Sequence, residues 1–202
     1  MKKAFSLIEM LLVIAIIVIL LASMVGAYSH LTATAQKAKC KELVDNTATA
    51  LTQLFQKEGA WPRALRIKGS TDGELDEHAA YPLAKGNYMS LTTDGSKLSG
   101  YDKFGIVTPW AQTVIKRRGS AASRADNVPG GGKVKDHVLH FALDLDGDGI
   151  IEGASVGGQS VNVRATAIVW ACGKDGVIEA YSKGLKKDDV YSWSYGQTQN
   201  VK

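Results

Sequence analysis

After Leu143 the chain reads Asp144-Leu145-Asp146-Gly147-Asp148-Gly149. Carboxylates at the first, third and fifth positions, with glycine at the sixth, can converge on one hard cation in a tight loop. Three aspartates in five residues repel one another unless a cation neutralises them, and calcium suits an all-oxygen donor set. An EF-hand needs Glu at the twelfth position, where Ser155 stands, and the residues before the loop are strand-like. The expectation is a structural calcium loop between two strands, with Asp144, Asp146 and Asp148 as ligands. The alternative is an Asp/Gly turn that holds no ion.

Other reactive patterns lead away from catalysis. Gly153-Ala154-Ser155-Val156-Gly157 fits Gly-x-Ser-x-Gly, whose mechanism needs a strand, a sharp turn, a helix and a later His. The segment after Ser155 is strand-like, and His30, His78, His137 and His140 all precede it. His137 and His140 do not share one strand face, and no third ligand accompanies them. Gly130-Gly131-Gly132-Lys133-Val134 lacks the Ser/Thr of a phosphate-binding loop. No catalytic residue and no small-molecule substrate are expected. Lys116-Arg117-Arg118, Arg124, Lys133 and Lys135 form a basic stretch, but no aromatic residues interleave it for stacking on bases. The net charge of +4 is mild, so this reads as a solvated loop and nucleic acid is not an expected partner. Two cysteines cannot make a disulfide scaffold or a four-cysteine zinc site. Cys40 falls in a helical stretch and Cys172 in the strand-rich half. Outside the cytoplasm they can bridge if their Cα atoms approach within about 7 Å; otherwise they are two thiols, one of them buried.

These residues need elements to position them. The 202 residues are 45% hydrophobic and 22% charged, which excludes a disordered or collagen-like chain. Hydrophobicity is concentrated at one end. From Met10 through Gln36 there is no Asp, Glu, Lys or Arg, a stretch of 27 residues. As a helix it would be about 40 Å long, enough to cross a hydrocarbon core of about 30 Å. Lys2 and Lys3 precede it, which leaves the N-terminus cytoplasmic and sends the bulk of the chain across. A secretory signal ending at Val25-Gly26-Ala27, or a plain anchor, would also fit this stretch. Neither needs Glu9, because a carboxylate costs about 2.5–3.5 kcal/mol at mid-bilayer, and less near the interface. Such a charge calls for a partner, and an amine on another chain would supply one.

Lys2-Lys3-Ala4, then Phe5-Ser6-Leu7-Ile8-Glu9 and a long apolar helix, resemble the start of a type IV prepilin or a type II secretion pseudopilin. The resemblance implies that a prepilin peptidase removes residues 1–4 by cutting between Ala4 and Phe5. It implies that the new amine of Phe5 is methylated and that Glu9 pairs with the Phe5 amine of a neighbouring subunit. The family carries Gly before the cut; Ala4 is the next smallest residue, and slower but competent processing is expected. Further on, Tyr101-Asp102-Lys103-Phe104-Gly105 sits where major pseudopilins carry an Asp-Pro-Trp-Gly turn. Trp170-Ala171-Cys172-Gly173-Lys174-Asp175-Gly176 resembles their Gly-x-Asp-Gly loop, and Asp188-Asp189-Val190-Tyr191-Ser192-Trp193 their closing segment. The resemblance implies a second calcium site at Asp175 and Asp189, which stand further apart here than in that subfamily.

The helical pattern continues past the apolar run. Leu31, Ala35, Ala38, Leu43, Val44, Ala48, Leu51, Leu54 and Phe55 recur near helical spacing, and Gly59 and Pro62 stop the helix. One helix from about Phe5 to Glu58 is expected. Residues 60–100 read as a polar, turn-rich connecting region. From Tyr101 onward the chain reads as strands: Val138–Leu143, an alternation from Val161 to Val169, Val177–Tyr181 and Val190–Trp193. The expected fold is α+β and pilin-like, a long N-terminal helix packed on a C-terminal antiparallel sheet. Its parts are a leader (1–4), a membrane and polymerisation helix (5–29), an amphipathic continuation (30–59), a connecting region (60–100) and a β-sheet domain (101–202). The resulting expectation is a non-catalytic pseudopilin, held by one span in the cytoplasmic membrane with its domain on the periplasmic side. It would self-associate into a helical filament for type II secretion, with the prepilin peptidase, an inner-membrane assembly platform and membrane lipid as partners. The alternatives are a type IV pilus or minor pilin subunit for adhesion or DNA uptake, and a secreted calcium-binding domain released from a signal peptide.

Overall fold

A computed structural model of the chain describes residues 7–89, 104–179, 188–194 and 198–199; the side chains of 23–27, 120 and 199 lie outside the description. Ala4, Phe5 and Tyr101–Lys103, all named above, also fall outside it. The chain divides into two compact units, Met1–Gln36 and Lys37–Lys202.

Helix α1 runs Leu7–Glu58 and ends at Gly59, as its pattern predicts. In the first unit its large side chains from Leu7 to Leu21 are all exposed, between 46% and 79%. Among the described residues no helix is long and apolar enough to cross a membrane.

In the second unit α1 buries a narrow stripe. Cys40, Val44, Thr47, Leu51 and Leu54 are all fully buried, at steps of three and four residues. The expected stripe began at Leu31, but Leu31, Ala35 and Ala38 are exposed. The stripe begins at Cys40. Thr47 sits in it without penalty because its hydroxyl donates to the Leu43 carbonyl at 2.6 Å.

Residues 60–100 are more than a connection. Helix α2 (Arg63–Lys68), strand β1 (Gly73–Glu74) and helix α3 (Glu77–Lys85) lie there. Leu65, Leu75, Ala79, Ala80 and Leu83 join the core. Asp76 caps α3, its carboxylate accepting from the His78 and Ala79 N–H groups. Its composition looks loop-like because each element is short and buries few residues. Helix α4 (Pro109–Arg118) corrects a second expectation, that of strands from Tyr101 onward. Pro109 at its first turn is a helix-start signal that the strand reading passed over.

Two antiparallel sheets follow. One has the order β1-β2-β5-β6, with β2 at His140–Leu143, β5 at Ala167–Ala171 and β6 at Val190–Tyr191. The other has the order β3-β4-β7, with β3 at Ile151–Val156, β4 at Gln159–Val163 and β7 at Thr198–Gln199. The alternation from Val161 to Val169 is therefore two strands in different sheets, separated at 164–166. Val177–Glu179 are not in a strand, and 180–181 fall outside the described residues.

Strand β5 is buried along its whole length because it is covered on both faces. Ala167, Val169 and Ala171 join the cluster that contains the α1 stripe. Ile168 and Trp170 join the second cluster, with Ile151, Ala154, Val156, Val161, Val163 and Trp193. Lys37–Lys202 is thus layered as helices, a four-stranded sheet and a three-stranded sheet. This is an α+β fold with a long N-terminal helix and antiparallel sheets, as expected.

Candidate functional site

Glu9 lies in the first turns of α1, exposed among Leu7, Ile8, Met10, Leu11 and Leu12, which are exposed as well. A helix apolar on every face is unstable in water and needs lipid or other helices around it. Each large apolar side chain that leaves water contributes about 1.5–3 kcal/mol. A carboxylate within such a surface is costly unless a counter-charge meets it.

The aspartate loop joins β2 to β3, between strands as predicted. Ligand oxygens of Asp144, Asp146 and Asp148 all lie within 4.8 Å of one another, and among the described residues this is the group of three acidic or soft donors that converges. Asp144 is nearly buried, at 5% exposure. Its two oxygens accept from the N–H groups of Gly147 at 2.7 Å and Gly149 at 2.8 Å. Asp148 accepts from Ile150 N–H at 2.7 Å. Gly147 and Gly149 have φ of 81° and 83°, so the turn needs residues that tolerate the left-handed region. Asp144 is fixed from behind as well. Trp61 donates to its carbonyl at 2.7 Å, and its own N–H donates to the Thr166 carbonyl at 3.0 Å. Each carboxylate oxygen keeps a second lone pair, so the donor set fits a hard divalent cation.

Asp175 and Asp189 are arranged differently. Asp189 is nearly buried and accepts from Gly173 N–H at 3.0 Å, Glu179 N–H at 2.8 Å and the Tyr191 hydroxyl at 3.1 Å. Burial raises its pKa, and those donors only partly oppose it. Asp175 is exposed and accepts from Val177 N–H at 3.0 Å. Both carboxylates shape the 173–179 loop and do not join a third ligand among the described residues. Asp188, beside Asp189, accepts from Lys174 N–H at 2.6 Å. Gly173 passes so close that an added Cβ would lie 2.0 Å from the Asp188 carboxyl carbon.

A buried node stands beside this loop. His137 Nδ1 lies 2.9 Å from the Thr108 hydroxyl and 3.3 Å from the Cys172 sulfur, and Nε2 lies 3.1 Å from the Gly131 carbonyl. Burial lowers the His137 pKa, and the Gly131 carbonyl only partly offsets it. The neutral ring then donates from Nε2 and accepts at Nδ1. Thr108 starts α4 but does not cap it with its side chain, because the hydroxyl is committed to His137. Nothing in the local pattern announced this node; its members are 29 and 35 positions apart. His140, by contrast, pairs with Asp72 at 2.7 Å and stacks on Trp170. Cys40 and Cys172 are both buried free thiols. Ser155 lies within β3, opposite Ser160, and not at a strand-to-helix elbow. In the basic stretch Arg118 pairs with Asp126 and Arg124 with Glu74.

Residues 1–25 match the family described as the prokaryotic N-terminal methylation motif. The type IV major pilin protein PilE of Neisseria gonorrhoeae is 38% identical over 63 residues, 31% of this chain and 38% of that protein. A fimbrial protein of Neisseria meningitidis serogroup A is 39% identical over 115 residues, 55% of this chain and 67% of that protein. The chain therefore spans well under half the length of the first relative and about two thirds of the second. No solved structure matches. A methylation motif that takes in the start of a helix whose apolar faces lie open, followed by an α+β domain and matched over 115 residues to a fimbrial protein, places this chain in the type IV prepilin family.

Proposed function

We propose that the protein is a membrane-held subunit that a prepilin peptidase processes between Ala4 and Phe5 and that then assembles into a type IV filament. The observation that carries this reading is the apolar first half of α1, exposed on every face and interrupted by Glu9. In the membrane, lipid would cover these faces. In a filament, copies of the same helix would cover them, and apolar area is conserved in the transfer. Glu9 would then meet the Phe5 amine of a neighbour. A buried ion pair adds little net stability, so its role is to set the stagger between subunits and to reject registers that leave either charge alone.

The relatives, a type IV major pilin and a fimbrial protein, support a pilus subunit. A secretion pseudopilus is kept as the second reading because of one observation. The closing Asp189–Trp193 segment packs back on the sheet, with Trp193 edge-on to Trp170 at 5.9 Å. An inner-membrane assembly platform would serve either filament. The Asp144–Asp146–Asp148 loop would hold calcium as a brace between β2 and β3, with no part in any reaction.

The test is chromosomal replacement by Glu9→Ala. The variant should remain membrane-inserted and folded but be absent from sheared filaments; normal incorporation would overturn the role of Glu9. Deletion of the whole chain then separates the two readings. Loss of surface filaments with normal release of extracellular proteins supports a pilus, and the reverse supports a pseudopilus.

A further inference from the structure

The assembly reading leaves the two thiols unused, and the fold puts Cys40 in the same cluster as Ala171, the residue before Cys172. Cys40 immediately precedes Lys41, whose ammonium donates to the Tyr191 carbonyl at 2.9 Å. Tyr191 is paired with Trp170 and Val190 with Ala171. Cys172 is the next residue beyond that pairing. The backbone N–H of Gly173, which follows it, bonds the Asp189 carboxylate at 3.0 Å. Cys40 shares one apolar cluster with Ala171 and Val190, the residues that flank Cys172 along and across the strands. Both thiols are fully buried. Cys40 is also the first buried residue of the α1 stripe, so a pull along the helix reaches the packed core there first.

We propose that Cys40 and Cys172 form a disulfide that ties the start of the buried helix stripe to the end of β5. This rests on the extracytoplasmic placement of the domain. The co-reactant is a thiol–disulfide oxidant of that compartment. One cysteine thiolate attacks the oxidant's S–S bond, forming a mixed disulfide and releasing one oxidant thiol. The second cysteine thiolate attacks the protein sulfur of that mixed disulfide, forming the Cys40–Cys172 bond and releasing the other thiol. The protein loses two hydrogens, and the oxidant's disulfide becomes two thiols.

The burial of the pair decides when this happens. The attacking species is the thiolate. Burial pushes the Cys40 thiol up to about 12 and raises Cys172 as well, with the nearby Cys40 sulfur adding to that rise. In the seated fold, exchange is therefore slow in both directions. The bond forms while α1 settles on the sheet, and once enclosed it resists soluble reductant. It closes a loop from 40 to 172, most of the globular unit. Extraction of the subunit by its helix then cannot peel that helix from the sheet.

The experiment uses the full-length chain in detergent. One sample is isolated from cells with acid quenching; a second is unfolded, reduced and refolded in a mixture of oxidised and reduced glutathione. Each is denatured and alkylated with and without prior reduction, and intact and peptide masses are read. The expected result is no alkylation before reduction, alkylation of both cysteines after it, and a linked peptide pair containing Cys40 and Cys172. The refolded, bridged protein should also need denaturant before dithiothreitol opens it, with a rate difference of at least a hundredfold, roughly the protection that a buried sulfur provides. Two alkylated thiols in both samples overturn the pairing. A bridge after refolding but two thiols from cells overturns the extracytoplasmic placement and leaves the pairing standing. Cys40→Ser with Cys172 intact controls for bridges between chains; a dimer of that variant only, and no intramolecular bond in the parent, would also overturn the proposal.

Discussion

Helix α1 contains two regions with opposite needs. From Leu7 to Leu21 every large side chain except that of Glu9 is apolar, and all are open, so no single contact surface can satisfy them. From Cys40 to Leu54 one stripe is buried and the remaining faces are polar, so a sheet on one side is enough. The same backbone geometry supports both because hydrogen bonding within a helix does not depend on what surrounds it. What differs is where the apolar area can go. The second half is satisfied within one chain. The first half needs lipid or other chains around it.

Substitutions on either side of that divide should separate cleanly. The largest effect is expected at Glu9. Glu9→Ala removes the pairing charge and should abolish incorporation, while Glu9→Gln, which keeps size and polarity, should restore part of it if register rather than net charge is what counts; quantitation of sheared filaments checks both. Next is the buried stripe. Leu51→Ala should destabilise the globular unit by about 2–5 kcal/mol, the usual cost of a cavity at a fully buried leucine. Leu12→Ala should change the same unfolding transition by less than about 0.5 kcal/mol, because its side chain is 64% exposed. Denaturant unfolding of the full chain in detergent measures both.

A smaller effect is expected from pH. The folded His137 pKa lies below its unfolded value, so the unfolded chain takes up the proton first as pH falls. The stability held by the neutral ring is complete above about pH 6.5 and declines as pH drops through the depressed folded value, by at most about 1.4 kcal/mol per unit. His137→Gln should be less stable at neutral pH but flatter between pH 7 and 5. Asp76 has the same sign at lower pH. Burial works against its charge, but the Lys68 ammonium and the N–H groups of α3 hold its pKa below the usual carboxylate value, so its contribution fades only in stronger acid. The smallest effect belongs to the aspartate loop. If calcium braces it, chelation should lower the melting temperature by about 2–4 °C for each kcal/mol of binding energy, and Asp146→Asn should remove that response. A wild-type melting temperature indifferent to both calcium and chelator would leave the loop as a self-capped turn.

The helix and its two halves were legible because their signals are local. An uncharged run, a 3.6-residue period and a Gly/Pro stop all lie within one stretch of chain, and the Asp144–Gly149 loop needs only six consecutive residues. Helix α4 departs from the strand-rich expectation although Pro109 marks its start, because it is short, ten residues, and a single start signal is weak. The alternation through Arg164 was misread because period two says nothing about which sheet a strand joins. Cys40 and Thr47 fell outside the expected stripe because neither is strongly apolar, yet the helix period carries both inward.

What the amino-acid order alone determined is the outline of the molecule: a basic start, a carboxylate at Glu9 and a helix with two kinds of surface. These follow from near-neighbour chemistry. What only the tertiary structure decided is which distant groups meet. The burial of β5 between two layers sets Cys172, the residue after it, against His137, and His137 meets Thr108 and Gly131. Such meetings are set by how layers stack and where strands change sheet. The balance that selects them is summed over the whole core, so no window of sequence contains it.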